Sequence, residues 1–322
     1  MKRRRFFALA LAALLLLSAC GGSGGAVQSV PPSEPPEPDG PDTVAFTDAL
    51  GQEFRLPRPG RVAALIGSFA DIWCLAGGED TLVATANDAW ESFGLELGDS
   101  VASLGSGMRP NVELVLAAQP DFVLASSISS SNLELRDTFA QAGIPAAYFD
   151  VASFEDYLSL LELCTRLTGH PENYERYGTT VKGQVDAALA RWDGSAPTVL
   201  IIQASSQSCT VKGSGGNVLG EILAAFGCVN AADRNGALLE DLSLEAVIQA
   251  DPDYIFAVHH GTDAGQAQKN LEDTLLSNPA WAGLRAVREE RFYTMDRRLY
   301  NLKPNALWGE AYEGLADILY GS

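Results

Sequence analysis

The chain has 322 residues, of which 47% are hydrophobic, 8% aromatic and 20% charged, so it is neither collagen-like, coiled-coil nor wholly disordered, and it is long enough for one large domain or two lobes. Lys plus Arg is 22 against 41 Asp plus Glu, a net charge of −19 that becomes −23 once Lys2, Arg3, Arg4 and Arg5 are set aside. That balance argues against a non-specific nucleic-acid binder and against basic docking to anionic lipid.

Lys2 to Arg5 form a positive leader, and Phe6 to Leu17 an apolar run shorter than the roughly 20 residues of a membrane span. Leu17-Ser18-Ala19-Cys20 closes it and resembles the bacterial lipoprotein signal, in which the cysteine is lipidated. Residues 1–20 are therefore expected to be a signal peptide with Cys20 as the lipidation site, and the chain to work outside the membrane while tethered to it. Residues 21–42, rich in Gly, Ser and Pro, read as a flexible tether. Gly21 to Gly25 matches the Gly-x-Ser-x-Gly pattern of serine hydrolases, but that chemistry needs a strand-turn-helix elbow. No strand precedes Ser23, so the match carries no chemistry.

From Thr43 the pattern alternates. Arg61 to Ile66 reads as a strand, Ser68 to Leu75 as a helix ending at Gly77-Gly78, and Thr81 to Thr85 as a strand. Asn111 to Ala118 reads as a helix, and Asp121 to Ala125 and Ala146 to Phe149 as strands. Residues 153–192 carry no strand signal. Ser153 with Asp156 three residues on forms a cap, and Phe154, Tyr157, Leu158, Leu161 and Cys164 follow at helical spacing. Gly169 and Pro171 interrupt this spine, and strand-helix alternation resumes at Pro197 to Gln203. Val211 to Asn217 is Gly-rich but lacks the Gly-Lys-Ser/Thr order of a P-loop, so it reads as a turn capped by Asn217.

The two halves repeat each other. Asn111 to Ala125 aligns without gaps to Ser243 to Ala257: each reads cap, acid, apolar helix, Pro-Asp, buried strand. The fold class is α/β, with two Rossmann-like lobes of mainly parallel sheet, residues 43–152 and 193–322, joined by a helical backbone at 153–192. Open α/β sheets bind ligands beyond the carboxyl ends of their strands. The cleft between the lobes is therefore expected to draw on Ser68, Phe69, Trp90, Ser127 and His259.

The ordered set of features resembles the ABC-transporter solute-binding lipoproteins that capture ferric siderophores, haem or cobalamin. It comprises the Cys20 lipobox, Phe46-Thr47-Asp48 with Gly51, Arg61-Val62, and the two units ending at Pro120-Asp121 and Pro252-Asp253. The single helical connection, Asn278-Pro279-Ala280-Trp281, Leu284 with Ala286-Val287, and Arg291-Phe292-Tyr293 complete it. The resemblance spans about Thr43 to Tyr320. It implies a two-lobed fold with a helical backbone that permits only modest closure, and no catalytic residues. It also implies a permease dimer driven by a cytoplasmic ATPase as partner. By resemblance, Glu113 and Glu245 dock the permease by pairing with its arginines. An acid in a first helical turn also favours the helix dipole, by about 0.3–1 kcal/mol, and residue type alone favours that account.

The ligand is read from fewer signals. His170, His259 and His260 are the only histidines, too few and too scattered for a bare zinc or manganese receptor. Met108 and Arg109, and Arg297, Arg298, Tyr300 and Lys303, bring positive and aromatic groups near strand ends. Guanidinium groups suit carboxylate or catecholate oxygens, and Trp90 or Tyr300 suits a flat chelate. The expected ligand is a ferric siderophore or related iron chelate, with haem or cobalamin as the alternative and no resident cofactor. An extracytoplasmic enzyme on the same scaffold is the alternative from another class. After Cys20, the four cysteines permit three pairings. Cys74 and Cys164 fall in apolar helical runs, and Cys209–Cys228 is a conceivable bridge.

Overall fold

The computed structural model describes residues 43–321 apart from positions 235, 241 and 262. The signal and tether readings, Cys20 included, fall outside the described residues. The described chain opens with an antiparallel hairpin, Thr43–Thr47 (β1) and Glu53–Pro57 (β2). Asp48 builds its turn: Oδ1 accepts from the amides of Leu50 and Gln52, both at 2.9 Å, and Gly51 takes φ +78°. Its Oδ2 accepts from Tyr148 N at 3.1 Å, which pins the hairpin to the first lobe.

The first lobe holds the strands Val62–Ala64 (β3), Leu82–Thr85 (β4), Ala102–Ser103 (β5), Phe122–Ser126 (β6) and Ala146–Phe149 (β7). They form one parallel sheet in the order β5-β4-β3-β6-β7. Helices Gly67–Leu75 (α1) and Val112–Ala117 (α2) belong to its crossovers. The spine begins with Phe154–Thr168 (α3), opened by the Ser153/Asp156 capping box and stopped by Gly169 at φ +81°. A second spine helix follows Pro171, passes through a π-helical turn at Glu175–Thr179 and runs on as Thr180–Leu189 (α4). The π-turn carbonyl of Tyr177 accepts from the Tyr157 hydroxyl of α3 at 2.9 Å, so the two spine helices are bonded side by side.

The second lobe contains Thr198–Ala204 (β8), Cys209–Lys212 (β9), Val229–Asn230 (β10), Tyr254–His259 (β11) and Phe292–Met295 (β12). Its parallel order is β10-β8-β11-β12, and β9 is antiparallel to the later part of β8. Its helices include Val218–Ala225 (α5), Leu244–Ala250 (α6), Ala264–Leu271 (α7) and the terminal Trp308–Tyr320 (α8).

The sequence repeat has a structural counterpart down to single atoms. Asn111 caps α2 and Ser243 caps α6. Gln119 and Asp251, equivalent in the repeat, both leave the helix with positive φ, +48° and +36°. The next acids, Asp121 and Asp253, then bind the start of the neighbouring strand. Asp121 accepts from the amides of Gly60 and Arg61 at 2.9 and 3.0 Å. Asp253 accepts from the amide and hydroxyl of Thr198 at 2.8 and 2.7 Å.

Strand parity sorts the core. Side chains alternate faces along a strand, and these central strands are apolar on both. Val62, Ala64, Phe122 and Leu124 of the first lobe share a core with Tyr157 and Leu161 of the spine. Val199, Ile201 and Phe256 of the second lobe, and Trp308 and Tyr312 of α8, belong to that same core. The opposite parity builds two separate cores, one around Val123 and Val115 and one around Leu200, Ile202 and Val247. The lobes are thus continuous on the spine side and independent on their outer faces.

Candidate ligand cleft

Parallel strands end together, so the carboxyl edge of each sheet gathers its loops. In the first lobe, α1 starts directly after β3. Gly67 N donates to Asp88 Oδ1 at 3.0 Å, and a Cβ at 67 would lie 2.4 Å from Ala89 N. Only glycine permits that approach of α1 to the turn at 88–91. Burial pushes the Asp88 carboxyl above its ordinary range, against the opposing effect of the Gly67 bond and Arg297. At the neighbouring strand end, Ser126 N donates to Asn132 Oδ1 at 2.9 Å, and Ser127 N donates to Phe149 O at 2.9 Å.

In the second lobe, Gln203 Nε2 donates to Asn301 Oδ1 at 2.7 Å, which orients the Asn301 amide to donate to His260 Nδ1 at 3.4 Å. An accepting Nδ1 leaves the neutral ring's proton on Nε2. His259 faces the other way. Gln268 gives its amide to Glu272 and so presents Oε1 to His259 Nε2 at 3.1 Å.

The segment after β12 crosses to the first lobe. Arg297 Nη1 donates to Ser92 Oγ at 3.4 Å, while its buried Nε has no hydrogen-bond partner. Arg298 is fully engaged. Nη2 meets Asp71 Oδ2 at 3.3 Å, Nη1 donates to the Lys303 carbonyl at 2.6 Å, and the guanidinium lies 4.4 Å above the Phe93 ring. The Lys303 ammonium makes no hydrogen bond or ion pair among the described residues. Burial lowers its pKa, against the attraction of Asp150 and Asp156.

Several expected ligand contacts are placed elsewhere. Phe69 is 1% exposed and belongs to the shared core. Tyr300 is 5% exposed, and its hydroxyl is spent on the Ala311 carbonyl at 3.0 Å, so it is not a stacking platform. Ser68 is buried, and its carbonyl accepts from Asn305. His259 is committed to α7, and it is His260 that is exposed beside Asn301. Arg298 ties lobe to lobe. Trp90 and Ser127 are half-buried at the first lobe's strand ends; Met108 (79% exposed) and Arg109 are open.

Asp71, Ser92, Asn301 and Asn305 are not singled out by the sequence, whereas Asp88 lies in the Asn87 to Trp90 strand end that it marks as candidate lining. Asp71 carries the one readable signal: a carboxylate inside Phe69-Ala70-Asp71-Ile72-Trp73, where a helix must bury it. The four cysteines are free, so the conceivable Cys209–Cys228 bridge is not formed. Burial pushes the Cys74 and Cys228 thiols up to about 12, which makes them poor nucleophiles. Among the described residues, no group of three or more His, Cys, Asp or Glu is arranged to hold a metal. Recesses of about 330 and 280 Å³ flank the spine, the second also lined by Phe149 and Asp150 at the end of β7. Glu113 and Glu245 are both exposed, in the first turns of α2 and α6.

Two parallel-sheet lobes mounted on a helical spine carry these groups. Residues 62–299 match the periplasmic binding protein family, and the chain belongs to it. The chain is similar to the Fe(3+)-citrate-binding protein YfmC of Bacillus subtilis (strain 168), 24% identical over 292 residues covering 89% of this chain and 87% of the relative. It is also similar to the vitamin B12-binding protein of Vibrio parahaemolyticus, 24% identical, with 69% of this chain and 80% of the relative covered. The haem uptake protein IsdE of Staphylococcus aureus is 21% identical, with 68% and 75% covered.

Among solved structures, PiuA of Streptococcus pneumoniae matches with a TM-score of 0.68 at 17% identity, covering 88% of this chain and all (100%) of that one. SirA of Staphylococcus aureus, complexed with staphyloferrin B, matches with a TM-score of 0.66 at 20% identity, covering 86% and 97%. These structures establish the two-lobed fold. Membership of the family implies an extracytoplasmic location. Among the described residues, no helix is long and apolar enough to cross a membrane.

Proposed function

We propose that this chain is the lipid-anchored receptor of an ABC importer, holding a ferric siderophore or related iron chelate between its lobes and delivering it to the permease. The observation that carries the reading is the duplicated helix start. Glu113 and Glu245 are exposed at equivalent positions on separate lobes, as a near-symmetric permease dimer requires. The similarity to an Fe(3+)-citrate-binding protein over most of both chains supports an iron chelate. Arg297, Arg109 and Lys303 supply positive charge in a chain of net charge −19, as an anionic chelate needs. Half-buried Trp90 and exposed Met108 suit a ligand with an apolar face, which favours haem or cobalamin as the second reading.

Cys20 is the proposed anchor, with residues 21–42 as its tether. Ligand capture and permease docking then occupy different surfaces. Replacing both glutamates (Glu113→Ala with Glu245→Ala) is expected to abolish cellular uptake of radiolabelled ferric chelate while leaving the purified protein's ligand affinity within about twofold. Full uptake by the double variant would overturn the docking assignment.

A further inference from the structure

Three side chains tie the lobes together at one point. Asp71 of α1, 8% exposed, offers one carboxylate oxygen to two groups from the segment after β12. Arg298 Nη2 reaches Oδ2 at 3.3 Å, and Asn305 Nδ2 donates to the same atom at 2.7 Å. Asn305 also donates to the Ser68 carbonyl at 3.0 Å, so one amide grips α1 twice. Arg298 is braced from behind by the carbonyls of Lys303 and Pro304 and from the side by Phe93. Asn305 is fully buried with φ +56°, a conformation that non-glycine residues hold only where their surroundings impose it.

A buried ion pair is a weak source of net stability, because desolvation consumes most of its attraction. Burial accordingly works against charge on both Asp71 and Arg298. What such a cluster supplies is direction: a planar guanidinium and an amide meeting one oxygen fix how two bodies are oriented. The adjacent Arg297 is placed by the same turn, with its Nη1 at Ser92 and its Nε unpartnered.

We propose that Asp71, Arg298 and Asn305 form a strut that sets the angle between the two lobes and thereby positions Arg297 at the cleft. These are positioning residues. The strut needs no ligand, so its test is independent of what the protein binds.

The test is single-molecule energy transfer on the whole ligand-free chain. Dyes are attached through ketone-bearing residues at Ala117 and Gln249, exposed and equivalent in the repeat, so that native thiols stay unlabelled. Wild type is expected to give one narrow distribution. Arg298→Met and Asn305→Gly are each expected to broaden it toward lower transfer. Asn305→Gly keeps the positive φ accessible, so it decides the matter if Arg298→Met does not fold. Arg285→Met removes the ion pair to Asp253 (2.7 Å) within the second lobe, and is expected to lower the melting temperature without moving the distribution. A folded Asn305→Gly with the wild-type distribution would overturn the proposal, as would an equal broadening in Arg285→Met.

Discussion

Arg297 and Arg298 are neighbours with different tasks. Arg298 spends its guanidinium on Asp71, two carbonyls and the Phe93 ring, whereas Arg297 holds one bond of 3.4 Å. Residue type identifies both as groups for anionic oxygens, but the side-chain oxygens they meet, Ser92 Oγ and Asp71 Oδ2, lie 205 and 227 positions away. Tyr300 illustrates the same limit: an aromatic near a strand end reads as a stacking platform until α8 is laid over it. A Cβ at Gly314 would lie 2.7 Å from the Tyr300 hydroxyl. Tyr300→Phe is expected to cost about 1 kcal/mol through the lost bond to Ala311. Gly314→Ala should then cost less in that background than in wild type. Urea unfolding of the two single variants and the double variant measures the coupling, and strict additivity would refute it.

Asp71 and Asp253 should respond to pH with opposite signs. Burial raises the Asp71 carboxyl, and the Asn305 bond and Arg298 offset this only in part. The folded chain therefore binds a proton before the unfolded chain does. Its stability relative to Asp71→Asn rises as pH falls from neutral toward about 4. At Asp253 burial also pushes upward, but the Thr198 bonds and the charges of Arg285 and Arg291 outweigh it, and the pKa is lowered. Its contribution is present above about pH 4 and lost below, as the folded group takes up its proton. Melting temperatures from about pH 7 to 3 for wild type, Asp71→Asn and Asp253→Asn should show opposite slopes relative to wild type; parallel curves would contradict both assignments.

At the scale of elements, the duplicated unit is a device for closing a crossover. A helix must stop, reverse and hand over to a buried strand, and both copies use the same solution. Positive φ at Gln119 or Asp251 ends the helix, proline follows, and the aspartate ties the new strand to its neighbour's first residues. Even the freed helix carbonyls are treated alike: Arg61 Nε donates to Gln119 O at 2.9 Å and Arg285 Nη2 to Asp251 O at 3.0 Å. Bonds to a charged acceptor are worth about 1.5–3 kcal/mol. Asp121→Ala and Asp253→Ala should each destabilise by that order. Asp253→Ala should cost more, since its carboxylate also pairs with Arg285 at 2.7 Å. Denaturant midpoints check this, and a neutral Asp121→Ala would contradict it.

The strands and helices of this unit were legible because periodicity, caps and Pro-Asp all agree there. The sequence marks the Ala146–Phe149 strand with the bounds it has in the fold, and the spine's capping box is visible at Ser153. The antiparallel β9 was not legible. Its four residues, Cys209–Lys212, alternate apolar and polar, but the run is short and its last two residues merge with the Gly-rich turn they enter; their pairing is set by the free edge of β8. The split of the spine into two bonded helices was half legible, through Gly169 and Pro171. The π turn, which frees the Tyr177 carbonyl for Tyr157, leaves no mark in the sequence pattern.

The whole molecule behaves as two sheets mounted on one core. Because Val62, Phe122, Tyr157, Val199, Phe256 and Trp308 share a continuous apolar cluster, opening the lobes on the spine side would expose buried surface. Movement is confined to what the outer halves and the strut at Asp71 allow. Such a frame favours a cleft that adjusts modestly around a preformed site over one that folds shut like a hinge. The two-lobed architecture was legible from the repeat. The ligand was not, because its contacts come from loops whose facing partners are far apart in sequence.

Capture of a metal chelate in the cleft is measured by titrating residues Thr43 to Ser322 as a soluble protein. The panel holds ferric hydroxamates, ferric catecholates, ferric citrate, haemin and cobalamin, with iron-free controls. Tryptophan fluorescence is read alongside calorimetry, since chelates also absorb light. Trp73 and Trp308 are buried, whereas Trp90 is half-buried at the strand ends, so quenching should be carried by Trp90 and largely lost in Trp90→Phe. Saturable binding of one iron-loaded class at about micromolar affinity or tighter is expected, with no response to its iron-free form. Absence of saturable binding by both methods across the whole panel would contradict it.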